Sequence, residues 1–161
     1  MRRSAVLVAG VVLLVGPALV AGALSRAELD RIIDFSVTLK SLSVAAESGS
    51  PLPQGKTVLL SGTVSDVNIV NKDPADFHVR LELITGEWIG LDEVKSYTCY
   101  VDFAGVDYAR LIPARPPRES SRDLVTLNSR VVVIGRVVGI TSSALGGKEA
   151  LVDGAFIRPI E

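Results

Sequence analysis

In 161 residues there is one cysteine, Cys99, and one histidine, His78. A lone thiol excludes an internal disulfide and a cysteine metal cluster, so the apolar core must hold the fold unaided. A Ser/His or Cys/His catalytic pair would require His78 to meet its nucleophile. Aromatic residues are few, with one Trp, three Tyr and four Phe. That scarcity suits a small aliphatic barrel better than an aromatic-lined groove. Excess charge of one sign is also missing. The formal net charge is −1, which gives no whole-molecule attraction to nucleic acid or anionic lipid. No phosphate-binding glycine loop is present, because no Lys-Ser/Thr pair follows Gly146-Gly147 and no helix pattern opens there. The carboxylates show no spacing tied to a glycosidase or a metal loop. Asp73-Pro-Ala-Asp76 begins like a calcium loop but lacks the later Gly and Glu, and reads as a solvated turn. These absences point to a non-enzymatic protein with no cofactor and no metal.

The N-terminus has the three-part layout of a secretory signal. Met1, Arg2 and Arg3 are followed by an uncharged run from Ala5 to Gly16, by Pro17, and by the small residues Ala21-Gly22-Ala23. Residues 1–23 are therefore expected to be a signal peptide cut after Ala23, sending the chain to the periplasm or the exterior of a bacterium. The alternative is an uncleaved anchor, since Ser4 to Leu24 is long enough to cross a bilayer of about 30 Å. Only in that case is the membrane a partner.

Ser25-Arg-Ala-Glu28 fits a capping box, and Leu29, Ile32 and Ile33 follow at helical spacing. A short helix is expected from Arg26 to about Ser36. Residues 37–46 read equally as strand or helix, and Ser48 to Gly55 is a turn-rich linker, so residues 24–55 form a helix and linker ahead of a domain over 56–161. In that domain a first strand runs from Thr57 to Val70 with Gly62 inside it. A second alternates Phe77, Val79, Leu81 and Leu83 against His78, Arg80 and Glu82. Thr85-Gly86 is expected to open a longer connection through Trp88 to Lys95. A third strand alternates Tyr97, Cys99, Val101 and Phe103 against Thr98, Tyr100 and Asp102. A helical stretch, Val106 to Leu111, precedes a fourth strand from Val131 to Thr141 and a fifth from Ala150 to Arg158. Gly62 and Gly135 sit alike between apolar residues, as if two strands bend for the same reason. The fold class is mainly β. Three strands, a helical connection and two more strands make the five-stranded oligonucleotide/oligosaccharide-binding (OB) barrel.

Four stretches carry a family resemblance: Val58-Leu-Leu-Ser-Gly-Thr-Val64, Cys99-Tyr-Val, Ser129-Arg-Val-Val-Val-Ile-Gly-Arg-Val137 and Ala150-Leu-Val-Asp-Gly154. Through them the chain resembles the "tRNA_anti-like" family of OB-fold bacterial proteins over about Arg26 to Ile160. The resemblance implies the barrel but not tRNA as a ligand. Members similar to this pattern often carry a second cysteine near Gly154, which this chain lacks. The layout also looks like the haem chaperone of cytochrome c maturation. That protein needs a late histidine, and the tail Phe156 to Glu161 has none.

Strand parity turns Cys99 inward and His78 outward, so the two should not meet. The outward residues of the second and third strands, His78, Arg80 and Tyr100 among them, form the first candidate binding face. Glu82 and Asp102 on that face would repel phosphate. Arg110, Arg115, Arg118, Arg122, Arg130 and Arg136 form a basic stretch opposed only by Glu119 and Asp123. Arg115, Arg118 and Arg122 are its candidate contacts. The reading is an exported binding or interaction module that engages an envelope protein, peptide or saccharide through the barrel face. The alternative is single-stranded nucleic acid or polyanion binding through the Arg-rich 110–136 segment and Tyr100.

Overall fold

The computed structural model describes residues 25–115, 122–143 and 146–160. The expected signal peptide and Arg118 lie outside these residues. Among the described residues no helix is long and apolar enough to cross a membrane.

Helix α1 (Arg26–Ile32) begins at the expected capping box, with Ser25 N–H donating to Glu28 Oε2 at 2.7 Å and Glu28 N–H donating to Ser25 Oγ at 3.3 Å. It ends earlier than the periodicity suggests. Ile33–Asp34 is instead a two-residue strand, β1, parallel to the start of β2 (Thr57–Asn71). The undecided stretch resolves into helix α2 (Leu39–Ser48), capped by Thr38, whose hydroxyl accepts from Ser41 N–H. Its apolar face, Leu39, Leu42 and Ala46, is buried in the core beside the hydroxyl of Ser43.

Five long strands follow: β2, β3 (His78–Ile89), β4 (Glu93–Ala104), β5 (Arg130–Ser142) and β6 (Lys148–Pro159). Their order is β2-β3-β4-β6-β5, and β5 pairs back to β2, so the sheet closes on itself. All pairings among these five are antiparallel except β4 with β6. Helix α3 (Val106–Leu111) falls between β4 and β5, where the sequence places it. This is the OB barrel. Its interior comes from alternate residues, including Val58, Leu60, Val79, Leu81, Leu83, Cys99, Val101, Phe103, Val133 and Val152, all at most 1% exposed. Period-two alternation puts every such residue on one face of its strand. Helix α2 lies at the Thr98 end of β4, and α3 follows the other end, where Tyr108 meets Phe103 and donates from its hydroxyl to the Ala155 carbonyl at 2.8 Å.

Two further expectations are corrected. Residues 85–95 are not an irregular connection. β3 continues to Ile89, β4 begins at Glu93, and the strands stay paired through Ile89–Glu93 around a tight three-residue turn in which Gly90 has φ 73°. The two glycines also serve different purposes. Gly62 marks the point where β2 leaves β5 for β3, and a Cβ there would stand 3.1 Å from both the Ile84 carbonyl oxygen and Leu39 Cδ1. Gly135 sits at a bulge against β6, where a Cβ would come within 2.6 Å of the Asp153 carbonyl oxygen.

Candidate functional site

The charged groups on the outer face of β3 and β4 are paired with one another, and a hollow of about 260 Å³ opens beside His78 and Asp102. Register sets Arg80 opposite Asp102, and the guanidinium grips the carboxylate with two hydrogen bonds, Nε to Oδ1 at 2.7 Å and Nη2 to Oδ2 at 2.8 Å. This bidentate geometry is the strong form of the pair, and it raises the Arg80 pKa above its ordinary value, chiefly through the Asp102 hydrogen bonds. The same guanidinium lies 5.6 Å from the centre of the Tyr100 ring, which is only 9% exposed. His78 Nε2 stands 3.7 Å from Asp102 Oδ2. Ser65 Oγ donates to Glu82 Oε1 at 2.7 Å. The expected repulsion by Asp102 is therefore cancelled by Arg80, and the expected stacking ring is covered.

Cys99 faces the interior as parity requires. It is fully buried, and burial pushes its thiol pKa up to about 12, with Glu149 and Glu82 adding to the shift. A thiol held that far into its neutral form is a packing residue. Asp73 caps the short 3-10 turn Pro74–Asp76 by accepting from Ala75 N–H at 3.0 Å, and Asn71 Nδ2 donates to Asp76 at 3.1 Å. Among the described residues no three or more His, Cys, Asp and Glu side chains converge as a metal site. Arg115 and Arg122 are both exposed.

An open groove lies elsewhere, where β2 changes partners. From Thr85 onward β3 pairs, among the described residues, only with β4, so the two strands leave the barrel as a ribbon. The space between the ribbon base and β2 is a cavity of about 450 Å³. Its walls carry the hydroxyl residues Ser61, Thr63, Thr85 and Ser96 together with Arg130, and among the described residues no carboxylate lines it. Across Ser61, Thr85 and Gly86 it continues into a second hollow of about 500 Å³ beside Phe35, Leu59 and Tyr97. The one acid in that second hollow among the described residues, Glu87, is bound by Lys40 and by the Tyr97 hydroxyl at 3.0 Å. These contacts hold Glu87 below its usual pKa, with the Lys40 hydrogen bond first among the causes. On the β5–β6 surface next to Arg130, register sets Val132 opposite Arg158 and Ile134 opposite Phe156. Arg130, Arg158 and Phe156 are all exposed there, and among the described residues neither arginine makes an ion pair. Of this site, only Arg130 belonged to the basic stretch visible in the sequence.

No protein-family model matches the chain, and no curated protein matches it in sequence. Solved structures similar to it include a small single-stranded DNA-binding protein from Streptomyces coelicolor. That protein is 13% identical with a TM-score of 0.41, over 68% of this chain and 96% of that one. A Plasmodium falciparum SSB in complex with ssDNA is 14% identical, TM-score 0.42, over 70% and 99%. The single-stranded DNA-binding protein of Thermus aquaticus is 20% identical, TM-score 0.42, over 67% and 52%. Likenesses this distant say nothing of this chain's ligand.

Proposed function

We propose that this protein is a non-enzymatic binding module for a single-stranded polyanion, with single-stranded nucleic acid the chemistry that fits best. The observation that carries the reading is the groove at the ribbon base. It presents hydroxyls and the Arg130 guanidinium, with no carboxylate in its lining among the described residues. Arginine and hydroxyl side chains are the groups that hold phosphate oxygens without reading sequence. Phe35, exposed at one end of the groove, and Phe156, exposed on the adjoining β5–β6 surface, offer ring faces on which a base can stack. The face first expected to bind, with His78, Arg80 and Tyr100, has its charge and its ring already engaged. The leader motif supports an exported location for the module. Cell fractionation tests it, and an unprocessed chain recovered in the cytosol would refute that part.

Fluorescence anisotropy with a labelled oligothymidylate at low salt tests the binding. Arg130→Ala is expected to weaken binding by roughly tenfold or more, as loss of one charge-assisted contact of about 1.5 kcal/mol or above does. Phe35→Ala should cost about 1 kcal/mol or more if a base stacks there. His78→Ala should leave binding unchanged. No binding at low salt, or binding indifferent to Arg130→Ala, would sink the proposal.

A further inference from the structure

The ribbon formed by β3 and β4 beyond the barrel is exposed at every residue from Gly86 to Ser96. Leu91 is 93% exposed and Trp88 71%, and Ile89 and Val94 are exposed beside them. Two strands alone are marginally stable in water, and an open edge invites pairing with another strand. Among the described residues β4 pairs with β6 only from Cys99 to Asp102, so residues 93–97 have no strand on that side.

The direction of the free backbone groups follows from one contact. Thr98 N–H donates to Ser43 Oγ of α2 at 3.2 Å and so points away from β3. Backbone groups alternate along an antiparallel strand. The N–H and C=O of Ser96 and Val94 therefore point the same way, to the open edge. The side chains along this edge read Asp92-Glu93-Val94-Lys95-Ser96. A lone Lys on an edge ordinarily blocks pairing with a copy of itself. Here Glu93, two positions before Lys95, turns the block into a complement.

We propose that the ribbon is a self-association surface. Two copies of the chain pair edge to edge, antiparallel, about a two-fold axis at Val94. That register places Val94 opposite Val94 of the second copy, with their free N–H and C=O groups exchanging hydrogen bonds. It places Glu93 of each copy opposite Lys95 of the other. Within one chain neither Glu93 nor Lys95 makes an ion pair among the described residues. Lys95 overlies the Tyr97 ring at 5.5 Å and sits opposite Glu87 in the ladder, whose carboxylate is already ion-paired to Lys40. Trp88 pairs across the ribbon with Val94, so the opposite face of the joined sheet gains an unbroken apolar row of Trp88, Val94, Val94 and Trp88. An interface of this small size gives a weak, concentration-dependent dimer. It uses the free edge of β4, the ribbon edge away from β2, and shares only Ser96 with the groove proposed to hold a polyanion; its test reads mass and not oligonucleotide binding.

Sedimentation equilibrium of the purified full chain tests the proposal. The average mass should rise with concentration toward two chains. Lys95→Glu and Glu93→Lys should each weaken dimerisation by roughly tenfold, since each sets like charges opposite one another twice. The double variant carrying both changes should restore it. Val94→Pro removes an edge N–H that β3 does not use, and it should give a single-chain mass with an unchanged circular dichroism spectrum. A single-chain mass at every concentration overturns the proposal. So does association that ignores both charge reversals, as contact through the apolar N-terminal segment would, and so does a double variant that fails to recover.

Discussion

Phe103 and Gly154 share one space in the barrel. A methyl group at position 154 would fall onto the buried Phe103 ring, and that ring is held from the side by Tyr108 at a centroid distance of 4.8 Å. Gly154→Ala should therefore destabilise the fold by about 1–3 kcal/mol, the usual cost of overpacking, visible as a Tm lowered by several degrees. Glu149 gives the opposite kind of expectation. Its Oε2 is buried with no hydrogen-bond partner among the described residues. Burial first, and then Glu47 and Glu82, raise its pKa against a lowering hydrogen bond from Thr98. An acid whose pKa is raised by folding binds its proton more tightly in the native state, so it weakens the fold above that pKa and ceases to do so as pH falls through it. Glu149→Gln should raise the Tm at pH 7, and the gain should vanish once the pH is below the ordinary carboxylate range. Thermal melts of both proteins across that range check it. At this scale the sequence was legible where parity alone decides, as for Cys99 inside and His78 outside. It was silent where pairing register decides. Nothing in the spacing of Arg80 and Asp102 shows that they would lie opposite one another and neutralise the face both belong to.

Helix α2 shows what an element needs beyond its own residues. Phe35, Val37 and Leu39 alternate, while Leu39 and Leu42 have helical spacing, so the segment argues for two structures at once. Tertiary contacts settle it. Ile33–Asp34 takes the β2 edge, and from Leu39 on the chain closes one end of the barrel. The Ser43 hydroxyl, fully buried, accepts the Thr98 N–H that no strand satisfies. Ser43→Ala would leave that donor buried and unpaired, at a cost of about 1–3 kcal/mol. Faster hydrogen exchange at the Thr98 amide, relative to its β4 neighbours from Cys99 to Asp102, is the expected signature. The ribbon leaves no mark in the sequence pattern for the converse reason. Alternation arises when one face of a strand is buried and the other wet. From Gly86 to Ser96 both faces are wet, so a regular hairpin carries no period-two pattern and reads as a loop.

For the whole molecule, the decisive feature is a place where one strand changes partners, and no local pattern records such a place. β2 serves β5 with its first half and β3 with its second, so the wall splits and a groove opens beside Arg130. The charge around that groove is local. The chain as a whole carries a formal net charge of −1, and long-range attraction cannot supply affinity for a polyanion. Binding must come from the few cations that reach the strand. Counterion release then sets the salt dependence, with a slope of about −0.7 per phosphate neutralised on a single strand. Arg130 and Arg158 together imply a logarithmic slope of about −1.4, which Arg130→Ala should halve. A much steeper slope would mean that a larger basic surface does the binding, the 110–122 stretch being the obvious one. In that case Arg115→Ala would flatten the slope while Arg130→Ala left it alone. Titrations of both variants at three or four salt concentrations separate the two surfaces, because each places the neutralised phosphates on different arginines.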